Sequence, residues 1–186
     1  SRAAGSLSSL TPTFGTSVNV TYNDVNATTT GAEIPVSTTV LNNLTNNNAA
    51  GVILNANATL KGTLTLTSGS FDVGANTLTL NGPTIAGTPA NLITTSSSSL
   101  AFGGSAAGVN VPSSVTSLNN LTINNANGLT LNSSVTVGGT LTLTSGRIAT
   151  GVNTLTVLST GNISGGSSTS YVNGTLDRGL TTSSTS

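Results

Sequence analysis

Leu118-Asn-Asn-Leu-Thr-Ile-Asn-Asn-Ala-Asn-Gly-Leu-Thr-Leu-Asn-Ser-Ser-Val-Thr-Val-Gly-Gly-Thr-Leu-Thr-Leu-Thr-Ser-Gly-Arg-Ile-Ala-Thr-Gly-Val-Asn-Thr-Leu-Thr-Val157 is the stretch on which the fold turns. Its apolar triplets begin at Leu121, Leu129, Val135, Leu141, Ile148 and Leu155, and the rhythm continues at Ile163. The steps are six to eight residues, and three steps come to about 20, the length of one coil of a β-solenoid. Within most triplets aliphatic and Thr alternate, as in Leu121-Thr122-Ile123 and Val135-Thr136-Val137. Strand side chains point to opposite faces with a period of two, so the aliphatics face inward and the threonines outward. On this count Leu141 sits one coil above Leu121, and Leu155 one coil above Val135.

Between the triplets lie Asn124 to Gly128, Gly138-Gly139, Thr144-Ser145-Gly146 and Gly151-Val152-Asn153. Gly and Asn accept positive φ and suit corners. Strands of three residues make poor hairpins, whereas stacked coils let each strand bond above and below at about 4.8 Å. A sandwich would space longer strands at about 8–12 residues. The spacing here is shorter and predicts an all-β, right-handed parallel β-helix with three short strands per coil.

The same pattern occurs twice. Leu41 to Leu80 aligns with Leu118 to Val157 without a gap at a shift of 77, with about 25 of 40 positions identical. Regular coils are expected from residue 40 to 165. Residues 1 to 39 are expected to form an N-terminal cap or arm, because a solenoid end otherwise exposes core and unpaired backbone. The middle stretch, Asn81 to Ser117, keeps the rhythm at Leu92, Leu100, Phe102, Val109, Val111 and Val115, while Pro83, Pro89 and Pro112 mark bends or strand edges. Residues 166 to 186 are expected to hold a last strand pair turning at Asn173-Gly174, then a polar, flexible tail from Thr181.

Composition excludes several classes of function. Charged residues are 4 % of the 186, against about 25 % in ordinary globular proteins, and the net charge is zero. The four basic residues are scattered and form no nucleic-acid footprint. No run approaches the roughly 20 apolar residues of a membrane span. There is no His or Cys, so the common metal sets and nucleophiles are missing, and no cofactor is expected. The acids are Asp24, Glu33, Asp72 and Asp177, and the bases Arg2, Lys61, Arg147 and Arg178. In the second copy Asp72 is matched by Ala149, Lys61 by Gly138 and Arg147 by Ser70 of the first, which makes a catalytic cleft an unneeded coincidence. The chain is read as a non-enzyme.

Two arrays stand out as candidate surfaces. Thr63, Thr65 and Thr67 project from one strand, and Thr140, Thr142 and Thr144 repeat them. In register they would form a flat hydroxyl grid of the kind that meets ice or glycan. The alternative is that Thr is simply a favourable outward strand residue. Asn47, Asn48, Asn124 and Asn125 recur at matching places and could stack as an amide ladder between coils, or serve as ordinary turn residues. Asn43-Leu44-Thr45 and Asn120-Leu121-Thr122, among others, match the glycosylation sequon, which arises freely in such a composition.

The phrases LNNLTINNANGLTLNSSVTVGGTLTLTSG, NTLTV, TGNISGGSSTSYVNGTL and SSLAFGG resemble repeats of very large extracellular proteins of Bacteroidota-type bacteria. The resemblance covers most of the chain after Thr39. It implies a secreted bacterial protein at the cell surface, an adhesin or filament component, and no particular ligand. The partners expected from the reading as a whole are copies of itself, with surface glycans as a further candidate. Together with the rod-like fold it gives the expectation of a structural filament subunit or segment assembling end to end, with a glycan- or ice-binding adhesin module as the alternative.

Overall fold

The computed structural model describes residues 12–180. Arg2 and the tail from Thr181 lie outside the described residues. The chain is a β-solenoid of about eight turns with coils of about 21 residues. Every strand-to-strand pairing is parallel, and each joins a strand to one roughly 20 residues away, as expected when coils stack in register. The expected neighbours are realised: Leu121 lies opposite Leu141, and Val135 opposite Leu155.

Three strand positions follow one another around each coil. The first is filled by Val18–Tyr22, Leu41–Asn47, Leu64–Ser68 and Ala86–Gly87, which form one sheet in that order. The second is filled by Thr28–Thr29, Val52–Ile53, Phe71–Asp72 and Leu92–Ile93. The third is a six-stranded sheet of Ala58–Leu60, Thr77–Leu80, Ser99–Phe102, Asn120–Asn124, Thr140–Ser145 and Asn162–Gly165. After Ser99–Phe102 the first and second positions are taken up by Val109–Val111 and Ser117–Leu118, then Leu129–Leu131 and Val135–Val137. The last two coils fill both positions with single long strands, Ile148–Val157 and Val172–Arg178.

The break in two of the three ladders has a cause in the sequence. Proline has no N–H to give a ladder. Pro89 opens a short 3-10 turn, Pro89–Asn91, and Pro83 and Pro112 flank the same region. Ser114 Oγ bridges the break at the second position by donating to the Leu92 carbonyl at 2.7 Å. The apolar rhythm persists through it, and Leu92, Leu100, Phe102, Val109, Val111 and Val115 are all buried.

The core is one continuous column of aliphatic side chains from Tyr22 to Val157, with Phe71 and Phe102 as its largest members after Tyr22. Each buried Leu, Ile or Val contributes roughly 1.5–3 kcal/mol. Outward neighbours on the same strands are polar and partly exposed, as in the pattern of Thr140–Ser145.

The corners are set by Asn and Gly together. Asn48 and Asn125 are fully buried. Each accepts its own turn: Asn48 Oδ1 from Ala50 N at 3.0 Å, and Asn125 Oδ1 from Asn127 N at 3.0 Å. One coil above them sit Gly69 and Gly146, at φ +67° and +84°. A Cβ on either would run into the Asn48 or Asn125 carbonyl oxygen. The corner therefore demands glycine for its dihedral and for its closeness.

The C-terminal region differs from expectation. Asn173-Gly174 is not a hairpin turn. Val172–Arg178 runs as one strand, parallel to Ile148–Val157, from Ile148 opposite Val172 to Val157 opposite Arg178. Gly174, at φ +126°, crosses the corner that takes four residues, Thr150 to Asn153, in the strand below. Its absent Cβ leaves room for Thr150 Oγ1, which accepts from Thr175 N at 2.9 Å. In a solenoid the strand below supplies the ladder, so an adjacent hairpin partner is not needed.

Replacing Gly146 by Ala should lower unfolding stability by about 2–4 kcal/mol through the strained dihedral and the collision. Gly15→Ala, at a site with no neighbour within 4 Å among the described residues and no positive φ, should change it by less than about 0.5 kcal/mol. Denaturant midpoints of the two variants check this, and equal midpoints would sink the account of the corner.

Candidate functional surfaces

The two arrays suggested by the sequence are not assembled as arrays. Thr63, Thr65 and Thr67 belong to the strand at the first position, around Leu64–Ser68. Thr140, Thr142 and Thr144 belong to Thr140–Ser145 of the six-stranded sheet. The reason is arithmetic. A coil is three strand-and-turn units of about seven residues, and 77 residues are eleven units, two more than three whole coils. The second copy therefore lands two positions further round, and equivalent strands occupy different faces.

The hydroxyl columns that do exist join other residues. On the six-stranded sheet Thr59, Thr79, Ala101, Thr122, Thr142 and Ser164 lie in register on successive coils. Neighbours in that column are about 4.8 Å apart. At the first position Thr21, Thr45 and Thr65 make a shorter column. The six-stranded face thus presents an uncharged hydroxyl column, interrupted at Ala101, that includes only Thr142 of the six threonines singled out by sequence.

The four asparagines divide into two kinds. Asn47 and Asn124 are exposed. Asn48 and Asn125 are buried, but they sit at different corners and do not stack on one another. Each instead reaches down one coil: Asn48 Nδ2 donates to the Asn26 carbonyl at 2.7 Å and Thr28 Oγ1 at 3.2 Å, and Asn125 Nδ2 to the Ala106 carbonyl at 2.8 Å. They are corner rivets rather than a ladder.

A second device escaped the sequence reading. Asn43 Oδ1 accepts from Thr63 N at 2.7 Å, and Asn120 Oδ1 from Thr140 N at 2.8 Å. Asn57 Oδ1 accepts from Thr77 N at 2.8 Å, and Ser134 Oγ from Thr154 N at 3.0 Å. Each pair spans 20 residues, and the second of each sentence is the first displaced by 77. A side chain before a strand thereby satisfies the N–H that opens the strand above it. Asn76 and Asn153 form a third related pair, donating to the carbonyls of Leu54 and Leu131 at 2.7 and 2.9 Å. The signal was present as Asn or Ser recurring 20 residues before Thr. The Asn43 and Asn120 sequons are thus engaged in coil-to-coil bonding.

The charged residues are dispersed. Glu33 is buried near the lower end, where its Oε1 accepts from Tyr22 Oη at 2.6 Å and Gly31 N at 2.8 Å, tying the loop before Val40 to the first strand. Asp72 accepts from Gly74 N at 2.8 Å and shapes a turn. Lys61, Arg147 and Asp177 are exposed. Arg178 bonds the Gly161 carbonyl at 2.7 Å and that of Leu158. Among the described residues no group of His, Cys, Asp or Glu could hold a metal ion, and no helix is long and apolar enough to cross a membrane.

Hollows indent the surface of the described residues. One, of about 350 Å³, lies near the lower end against Phe14, Ile34, Pro35, Val36 and Val40 and is almost wholly apolar. Another, of about 110 Å³, is a shallow corner groove beside Gly128, Thr130 and Arg147. No family model, curated protein or solved structure matches the chain.

Asn125→Ala should cost about 2–3 kcal/mol, because it removes a buried amide and strands the groups it satisfies. Asn124→Ala, one residue away and exposed, should cost less than about 0.5 kcal/mol. Equal effects at the two sites, measured by thermal or denaturant unfolding, would remove the distinction.

Proposed function

We propose that this chain is a structural, extracellular protein of the cell surface, a subunit or segment of a filament that assembles end to end by β-strand stacking, and that it catalyses no reaction. The observation that supports this reading is the exposure of an inward position in the last described strand. Leu176 is 39 % exposed, whereas Leu155 directly beneath it is 0 % exposed. Among the described residues, Val172–Arg178 pairs only with the strand below it. Edge strands with open N–H and C=O groups seek partners. The near absence of charge removes the repulsion by which proteins usually keep such edges apart.

The extracellular placement rests on composition and on the likeness of the repeats to those of surface proteins. A rod held by backbone ladders and aliphatic burial needs neither disulfide nor metal. Dispersed acids and bases, several of them tied into turns and coil contacts, support a non-catalytic role.

A second reading is favoured by one observation. The in-register column Thr59, Thr79, Thr122 and Thr142 gives the six-stranded face a regular, neutral hydroxyl surface, which suits an adhesin module that meets glycan or ice. Changing Thr79 and Thr122 together to Val should abolish such binding and leave the fold intact. Wild-type protein that neither retards ice growth nor retains on a glycan panel would remove this reading.

The filament reading is tested by electron microscopy of the purified chain across concentrations. Each copy should add roughly 40 Å of rod, from eight turns at about 4.8 Å, and filament length should grow with concentration. Separate short rods at every concentration would overturn it.

A further inference from the structure

The corner that leads into Leu129–Leu131 is built on the same backbone plan as its counterpart in the first copy of the repeat. At the shift of 77, Gly51 and Ser70 correspond to Gly128 and Arg147. The Ser70 carbonyl accepts from Val52 N at 2.8 Å, and the Arg147 carbonyl from Leu129 N at 2.9 Å. In both, the side chain one coil above leans over the glycine. A Cβ on Gly51 would meet Ser70 Oγ, and one on Gly128 would meet Arg147 Cγ. A serine therefore completes this corner, and the fold does not call for an arginine. The surroundings change with it. Ala50, Ile53 and Asp72 of the first copy become Asn127, Thr130 and Ala149 in the second. Two hydrogen-bonding side chains arrive, and the acid leaves.

We propose that the groove of about 110 Å³ at this corner binds a uronic acid residue of an acidic polysaccharide through Arg147, Asn127 and Thr130. All three residues line the groove and are exposed. Arg178 uses its guanidinium on the carbonyls of Leu158 and Gly161, whereas the side chain of Arg147 has no bonded partner among the described residues. Its guanidinium is always charged and presents a planar fork that fits a carboxylate. Asn127 gives Nδ2 to the Ser105 carbonyl at 2.8 Å, which leaves Oδ1 as an acceptor. An acceptor repels an anionic oxygen and takes a hydroxyl, and Thr130 can give or take a hydrogen bond. One positive charge beside an acceptor and a hydroxyl fits a ligand with one carboxylate and neighbouring hydroxyls. A sulfate or phosphate group, with acceptor oxygens on every side, fits it less well. Gly108 keeps the groove open, since nothing described lies within 4 Å of where its Cβ would stand. The groove lies along Val109–Val111, Leu129–Leu131 and the start of Ile148–Val157, on a different sheet from the hydroxyl column. The site therefore depends neither on end-to-end assembly nor on that column.

Binding of the full-length chain is measured by biolayer interferometry on immobilised polygalacturonate, its methyl ester, dextran and dextran sulfate. Polygalacturonate should bind, and its methyl ester and dextran should not. Arg147→Ser, which installs the side chain used in the first copy, should weaken binding about tenfold or more with an unchanged unfolding midpoint. Thr130→Val should weaken it less. Lys61→Gln, which removes another exposed cation, and the Thr79→Val, Thr122→Val double variant should bind as wild type does. Absence of binding to polygalacturonate would overturn the site. Equal weakening by Lys61→Gln would mark unselective charge attraction and would overturn it too. Loss of binding in the double threonine variant would move the polymer to the six-stranded face and away from Arg147. Tighter binding of dextran sulfate, lost in Arg147→Ser, would overturn the carboxylate assignment. A lowered midpoint in Arg147→Ser would mean that the arginine holds the corner, and would overturn its assignment to a ligand.

Discussion

Each short strand must find its hydrogen-bond partners about 4.8 Å above and below, in strands that the chain reaches only after a full coil. That requirement governs nearly everything else in the molecule. It fixes the coil length, because the path must return to the same place at the same height. It sets the inward column of Leu, Ile and Val, because parallel in-register stacking puts like residue over like. It forbids bulk at the corners, where Gly69 and Gly146 pass over the carbonyls of Asn48 and Asn125 with no room for a methyl group. Where proline withdraws an N–H, the ladder at that position stops, and a side chain such as Ser114 carries the connection instead.

The polar side chains are recruited to the same end. A solenoid of three-residue strands leaves many backbone groups at turns with no strand to pair with, and an unmet buried polar group costs about 1–3 kcal/mol. Asn is suited to this work because one amide both accepts and donates. Asn125 closes its own turn with Oδ1 and holds the coil below with Nδ2. Asn120 uses Oδ1 for the strand above and Nδ2 for Ser99 Oγ below. The high Asn and Thr content thus has an internal explanation. It follows from wiring a rod together, and it leaves the neutral exterior as a by-product on which a binding face could be built.

Much of this was legible in the sequence. The stacking of Leu141 on Leu121 could be counted from triplet spacing alone, because the inward period is set by geometry that does not vary between faces. The fate of Thr63 and Thr140 could not be read from the alignment of the two copies. Their similarity reports shared local structure, while their face depends on the number of units between them taken three at a time. Asn124 and Asn125 look alike in sequence, yet one is exposed and one is buried, since a single-residue step at a corner reverses the side chain. The Asn173-Gly174 pair has the chemistry of a hairpin turn, but the strand below offered a complete ladder and prevailed. The exposure of Leu176 was invisible because it is an ordinary core residue by type, and only its place in the last described strand sets it apart from Leu155 beneath it.

The mismatch between the 77-residue repeat and the coil also bears on how such a rod can lengthen. Because the three faces accept the same seven-residue units, the grain of growth is one side of the triangle rather than one lap. A gene duplication of any whole number of sides can be threaded in without breaking the core. Successive duplicates of eleven sides behave like a gear with a tooth count indivisible by three: each turns the pattern to a fresh face, and only after three duplicates, eleven laps and roughly 53 Å of rod does the same face recur. Whatever patch a duplicate carries is thereby dealt evenly around the shaft, so a long filament made this way has no blind side.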